Sequence, residues 1–316
     1  MGRQWPQQRL HAAGLVETSV CQLCKDLPCG GATGTLAHRL YCPALQAFRD
    51  QHMPTWLREY IGHTESDLSV IVRCCLTRGL YPSPKVPHRH EGRFDTFVWH
   101  TEPTAMPSGC KVFTDGSLLD NDLGKEFASL GWAFAVIDEV GDLVAAAYGV
   151  PPVWVDTIQG AELWAVQIAL ASVVFPSAIY TDCQTVQRGV RQQGQWAGSS
   201  KRRYARIWLV ISAGLDNGAE AGRVGWMPAH TSRDRVGEAM CSDGVILTDE
   251  MWSANQVADL LAKEAAESVR QEVDILRKIK GQLKLVKEVA IFVGQLTYEA
   301  NSHVMADRKV MMTPRQ

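Results

Sequence analysis

Lys111-Val112-Phe113-Thr114-Asp115-Gly116-Ser117 opens the most regular part of the chain; it reads as a short apolar strand that runs through a carboxylate into a glycine turn. Residues 130–150 then hold two apolar runs separated by Asp138-Glu139-Val140-Gly141-Asp142, the pattern of a hairpin. Three antiparallel strands are therefore predicted. Residues 156–174, rich in Ala, Leu, Ile and Gln, read as a helix that stops before Pro176, and 177–181 as a compact strand leading to Asp182. Helical patterns follow at about 184–191 and 202–213, a strand at 223–228, and helices at 254–272 and 275–300. This order predicts an α/β domain over residues 110–270, a mixed sheet with helices packed on it.

Composition bounds the function. The chain has 316 residues, 46% hydrophobic and 21% charged, so it is neither fibrous nor disordered, and its length suits about two domains. A net charge of −2 excludes binding of polyanions by bulk charge. Locally the balance differs: residues 110–270 carry 13 basic and 20 acidic groups, yet the stretch 183–215 has no acid at all. Arg188, Arg191, Lys201, Arg202, Arg203 and Arg206 fall inside it, interleaved with Trp196, Tyr204 and Trp208, a pattern suited to a phosphate backbone or to a solvated helix face over core aromatics. The longest mostly apolar stretch, 168–180, is about half of a bilayer span, so no membrane helix is expected. The first residues lack an apolar segment behind their basic groups, and nine cysteines with one tight pair favour reduced thiols over disulfides. A reducing intracellular compartment, nucleus or cytoplasm, is expected.

Four acids sit at element ends or on apolar faces. Asp115 follows the first strand, Asp182 ends the fourth, and Glu162 and Asp259 interrupt the helical faces Ala161-Glu162-Leu163-Trp164 and Val257-Ala258-Asp259-Leu260. Burying such carboxylates is costly unless something compensates them. Divalent cations do so, and two of them about 4 Å apart can align a scissile phosphate and activate water. His230, in Pro228-Ala229-His230, has the chemistry to pass a proton to a leaving oxygen.

Together Thr114-Asp115-Gly116-Ser117, Ala161-Glu162-Leu163, Thr181-Asp182-Cys183, Pro228-Ala229-His230 and Asn255-x-x-Ala258-Asp259-x-Leu261-Ala262 resemble ribonuclease H type 1, in the version attached to reverse transcriptases of non-LTR retroelements. The resemblance covers residues 110 to about 268. It implies a ribonuclease H-like mixed five-stranded sheet and two-metal hydrolysis of the RNA strand of RNA/DNA hybrids. Asp115, Glu162, Asp182 and Asp259 would hold two Mg²⁺, with Mn²⁺ as a substitute, and His230 would be the proton carrier. The region around 191–206, with Asn255, would contact the hybrid. No small-molecule cofactor is implied. One departure stands out: His230 and Asp259 lie 29 positions apart, further than in the family, so 231–253 contains an insertion that reads as a flap or a degraded loop. Three readings therefore stay open: a hybrid ribonuclease, a catalytically idle nucleic-acid-binding module, and a different nuclease of the same fold, against which the His230 motif and the basic run argue.

Upstream, Cys21-x2-Cys24-x13-His38-x3-Cys42 has the ligand types and spacing of a structural Zn²⁺ site. It also resembles the Cys-Cys-His-Cys element of some retroelement polyproteins. The chain is thus predicted to comprise an N-terminal region (1–78) with the zinc element at 21–42, a proline-rich linker (79–109), the ribonuclease H-like domain (110–270) and a basic C-terminal helix and tail (271–316).

Overall fold

The computed structural model describes residues 6–27, 31–61, 69–80, 93–105, 108–174, 176–192, 196, 198–216, 219–229 and 231–302. The chain divides into two units, residues 1–85 with 274–316, and residues 86–273.

The smaller unit contains α1 (Gln7–Ala12), α2 (Gln46–His52), α3 (Thr55–Tyr60) and α4 (Val70–Arg78), together with the C-terminal helix Val273–Ser302. Ser69 starts α4 by accepting a hydrogen bond from the Val72 N–H at 3.3 Å. Leu40, Leu45, Leu57 and Leu76 pack in one core with Val289, Phe292, Val293 and Leu296 of the C-terminal helix. The Trp56 indole N–H also donates to Glu288 Oε2 at 2.7 Å. The sequence separates 271–316 from the N-terminal region; in the structure the helix supplies that region's missing apolar wall.

The larger unit runs β1 (Val98–Thr101), β2 (Lys111–Leu119), β3 (Ser129–Ile137), β4 (Leu143–Gly149), α5 (Ile158–Ser172), β5 (Ala178–Thr181), α6 (Gln184–Gln192), α7 (Ala205–Gly214), β6 (Val224–Trp226) and α8 (Asp249–Ser268). Its sheet has the order β1-β4-β3-β2-β5-β6. The first four strands are antiparallel, while β5 and β6 run parallel to β2. A mixed α/β sheet flanked by helices is the architecture the sequence implies, with six strands rather than five. The extra strand, β1, comes from the segment assigned to the linker; it pairs with β4 at the sheet edge and its residues are only half-buried or exposed.

Strand alternation divides the apolar residues between two faces. Val112, Trp132, Phe134 and Val136 pack with Leu163, Val166 and Ala169 of α5 and Ile207 and Ile211 of α7. Phe113, Ala135 and Ile137 face Met251, Ala254 and Ala258 of α8 instead. Helix α8 lies close on β3 because residue 131 is glycine: a Cβ there would come within 2.0 Å of the Ala262 carbonyl oxygen. Thr157 and Thr248 cap α5 and α8, accepting from Gly160 N at 3.1 Å and Met251 N at 3.3 Å. Among the described residues no helix is long and apolar enough to cross a membrane.

Candidate functional site

Pairing of β2 with β5 builds the acidic site. Thr114 lies opposite Thr181 in the parallel ladder, so Asp115, in the middle of β2, and Asp182, the first residue after β5, fall side by side; β2 does not turn at Gly116 as the sequence suggests but stays paired with β3 as far as Leu119. Glu162 arrives from the first turns of α5, which approaches β2 at Gly116: a Cβ there would be 2.6 Å from the Glu162 nitrogen and 2.9 Å from the Ala161 carbonyl carbon. One ligand oxygen from each of Asp115, Glu162 and Asp182 lies within 4.8 Å of the others.

This cluster is held in an environment hostile to its own charge. Asp115 and Glu162 are each 5% exposed, and Asp115 Oδ2 and Glu162 Oε2 are buried without a hydrogen-bond partner among the described residues. Burial, then the charges of Asp182 and Asp259, push the Asp115 carboxyl up to about 8. Burial, then Asp115 and Asp182, raise Glu162 well above the usual carboxylate range. Oxygens converging from three carboxyl groups, those of Asp115 and Glu162 buried and unpartnered among the described residues, fit a divalent cation, which both supplies the missing partner and restores the ionised form.

The other predicted catalytic residues are placed differently. Asp259, on α8, stands outside the 4.8 Å cluster, although its charge acts on Asp115. His230 lies outside the described residues. Asn255, one turn before Asp259, is buried with its Oδ1 unpartnered among the described residues, so it is turned inward and not displayed to solvent.

Part of the insertion is packed against the domain. Ala239, Cys241 and Leu247 are buried with Phe113, Tyr180 and Met251, and Met240 bridges Ile246 across a small antiparallel turn. Its Ser242 N–H donates to the Trp226 carbonyl at 2.8 Å while Ser242 Oγ accepts from the Trp226 N–H at 2.8 Å, which closes the open edge of β6. Asp243 Oδ2 accepts from the Tyr180 hydroxyl at 2.8 Å. Trp226 in turn donates its indole N–H to the Asp182 carbonyl at 2.9 Å, a role that no spacing in the sequence announces.

The basic run forms α6, α7 and the turn between them. Arg188, Arg191, Lys201, Arg203 and Arg206 are exposed, and Trp196 is half-buried against Trp208. Two of the cations are already engaged. The Arg202 guanidinium lies 3.2 Å from the centre of the Trp196 ring and its Nε donates to the Trp196 carbonyl at 2.9 Å. Arg203 pairs with Asp156, which also accepts from the Tyr204 hydroxyl at 2.8 Å. Of the rest, Arg206 has its guanidinium 5.9 Å from the centre of the Trp154 ring, and Arg188, Arg191 and Lys201 are the cations displayed most openly.

In the smaller unit the ligand atoms of Cys21, Cys24, His38 and Cys42 also lie within 4.8 Å of one another. Cys21 Sγ is 4.0 Å from Cys42 Sγ, and Cys24 Sγ is 3.4 Å from His38 Nε2. The edges of a tetrahedral zinc centre are about 3.8 Å between sulfurs and about 3.6 Å between sulfur and nitrogen, so the four groups already stand at ligand spacing. Without a cation they ionise unequally. The Cys42 thiol, hydrogen-bonded to Cys21, holds Cys21 down at about 3, while that same bond, followed by burial, raises Cys42.

No protein-family model matches the chain, and no curated protein matches it. Among solved structures it is similar to the foamy viral protease-reverse transcriptase in complex with RNA/DNA hybrid, with 20% identity, a TM-score of 0.37, and coverage of 54% of this chain and 22% of that one. It is also similar to the PFV RNase H domain in solution, with 15% identity, a TM-score of 0.36, and coverage of 51% of this chain and 96% of the other. A third is LC11-RNase H1 in complex with RNA/DNA hybrid, with 16% identity, a TM-score of 0.31, and coverage of 50% and 97%. This chain spans about a fifth of the length of the foamy viral protease-reverse transcriptase it matches. Its mixed α/β sheet flanked by helices is consistent with a ribonuclease H-like fold.

Proposed function

We propose that the chain hydrolyses the RNA strand of RNA/DNA hybrids, with a separate zinc centre that organises its smaller unit. The observation that carries the first part is the convergence of Asp115, Glu162 and Asp182 within 4.8 Å, two of them buried with an unpartnered oxygen among the described residues. Bound there, two Mg²⁺ or Mn²⁺ ions would supply an activated water and stabilise the leaving 3′ oxygen. Asp115, Glu162 and Asp182 hold the first position. Asp259, on the facing helix, completes the second, and its place outside the tight cluster suits a ligand reached by a second ion. His230 carries the proton to the leaving group. Arg188, Arg191, Lys201 and Arg206 neutralise phosphates beside Trp196, and Asn255 supports the α8 side of the site.

The reading of the smaller unit rests on the tetrahedral spacing of Cys21, Cys24, His38 and Cys42. Zinc there is structural, since all four positions are taken by protein ligands.

Cleavage of a labelled RNA/DNA hybrid in Mg²⁺ by the full chain, beside Asp115→Asn, tests the proposal. Cleavage by the intact protein alone is the expected result. Tight hybrid binding with no cleavage in either Mg²⁺ or Mn²⁺ would instead support the idle nucleic-acid-binding module.

A further inference from the structure

Among the described residues, two arginines of the smaller unit have no carboxylate as an ion-pair partner, the charge of Asp50 acting on Arg49 only from beyond that distance. Arg49, on α2, is only 6% exposed. Its Nη1 donates to the Cys42 carbonyl at 2.6 Å and to the Arg39 carbonyl at 3.5 Å, and its Nη2 donates to Gln46 Oε1 at 2.5 Å. Every one of these acceptors is neutral. Arg39, next to the ligand His38, has a buried Nη1 without a hydrogen-bond partner, and its Nη2 reaches only Asn301 Oδ1 at 3.4 Å. Among the described residues neither guanidinium has a carboxylate within ion-pair distance. A buried guanidinium without an anion is costly, because its charge is taken out of water with nothing to offset the loss.

The anion is supplied if the zinc reading holds. Three thiolates and a neutral imidazole around Zn²⁺ carry a net charge of −1, and Cys21, Cys24 and Cys42 are at most 5% exposed, so water screens that charge little. We infer that Arg39 and Arg49 are the counter-charges of the Cys21-Cys24-His38-Cys42 centre, with Arg49 also fixing the backbone of Cys42 so that its sulfur points at the metal. They are positioning residues, and the inference rests on the zinc reading of this site. It explains why the two cations are tolerated in an apolar unit, and why the ligand loop 38–42 leads straight into α2. Outer partners of this kind hold thiolates ionised and orient the ligands they touch.

Metal competition on the full-length chain tests it. Co²⁺ replaces Zn²⁺ and reports tetrahedral sulfur-rich coordination by its visible absorption, and a chromophoric chelator then measures zinc affinity. Wild type is expected to give the tetrahedral Co²⁺ spectrum. Arg49→Met, which keeps volume but removes charge and donors, is expected to lower zinc affinity by about 10-fold or more, with Arg49→Lys recovering part of the loss. Arg39→Met, whose side chain makes a single long contact, is expected to lower affinity less and to leave the fold intact; it decides the matter if Arg49→Met does not fold. Zinc affinities within two-fold of wild type in the folded variants overturn the inference while the zinc site stands. No tetrahedral Co²⁺ spectrum in wild type overturns both.

Discussion

The indole N–H of Trp226 donates to the main-chain carbonyl of Asp182 at 2.9 Å, so the last residue of β6 holds the peptide that carries a carboxylate of the candidate metal site. Trp226 is itself held through both backbone groups by Ser242 of the insertion. A chain of hydrogen bonds thus runs from the insertion through β6 to the peptide of Asp182. Trp226→Phe is expected to cost about 1 kcal/mol in stability, the usual net worth of one hydrogen bond, and to weaken Mg²⁺ binding several-fold. Ser242→Ala, which loosens the hairpin but leaves the indole in place, should show a similar stability loss with a smaller change in metal binding. Denaturant unfolding and titration calorimetry read the two effects separately; equal metal affinities in wild type and Trp226→Phe would refute the positioning role.

Gly116 allows α5 to lie where Glu162 can reach Asp115. A methyl group at 116 would meet the backbone of residues 161 and 162 at 2.6–2.9 Å, and backbone yields only if the helix moves. Gly116→Ala is expected to destabilise the chain by about 1–3 kcal/mol and to weaken divalent binding, because the displaced helix takes Glu162 with it. A wild-type unfolding midpoint in this variant would sink the argument.

How much of this was legible in the sequence follows from the range of the interactions involved. Lys111-Val112-Phe113 and the two apolar runs of 130–150 announce β2, β3 and β4 as short apolar runs bounded by turn residues, and the helix read at 156–174 matches α5 to within two residues, whereas the one read at 254–272 misses the first turn of α8, which starts at Asp249. Asp115, Asp182 and Glu162 are visible as carboxylates beside or among apolar runs, although the sequence places Asp115 after its strand and the structure places it inside β2. The rest depends on partners distant in sequence. Strand β1 follows a proline-rich stretch, lies at an edge and buries little, so it carries no strong periodic signal. The 273–302 helix is amphipathic, but its partner, the core around Leu45 and Leu76, lies some 200 residues earlier. Arg49 reads as an ordinary charged helix residue until its burial against Cys42 is seen. The insertion reads as a loop because its turn is short and polar; only Ala239, Cys241 and Leu247, facing one core, reveal it as a packed element.

Asp120 and Arg270 tie the end of β2 to the residues after α8. Arg270 donates from Nε to Asp120 Oδ2 at 2.6 Å and from Nη2 to Oδ1 at 3.1 Å, and the Asp120 side chain is 3% exposed. The fork is planar and bidentate on a buried carboxylate, unlike the exposed pair Arg277–Asp274. Arg270→Met is expected to cost about 2 kcal/mol, while Arg277→Met should be nearly silent. Adding Asp120→Asn to Arg270→Met should recover part of the loss in chemical unfolding; a strictly additive double variant would show that the pair is not coupled.

The raised carboxyl groups of the acidic site give the metal-free chain a distinctive pH dependence. Burial with the charges of Asp182 and Asp259 pushes Asp115 up to about 8, and burial lifts Glu162 well above its usual range, whereas in the unfolded chain both titrate near about 4. Between those limits the folded chain binds more protons than the unfolded one, so stability is greatest below about pH 4 as far as these groups are concerned and is lost as the pH rises toward about 8. Other carboxylates oppose this trend at the acidic end, which makes the span from about pH 5.5 to 8 the informative window. In chelator the melting temperature is expected to fall across that span. Millimolar Mg²⁺ should restore it, most strongly at the upper end, because a cation stabilises the ionised forms that burial penalises. Asp115→Asn, which removes one of the charges, should be flatter in chelator and respond less to Mg²⁺. A melting temperature in chelator that rises between about pH 5.5 and 8, with no gain from Mg²⁺ at pH 8, would mean that the buried carboxylates are compensated by something other than a cation.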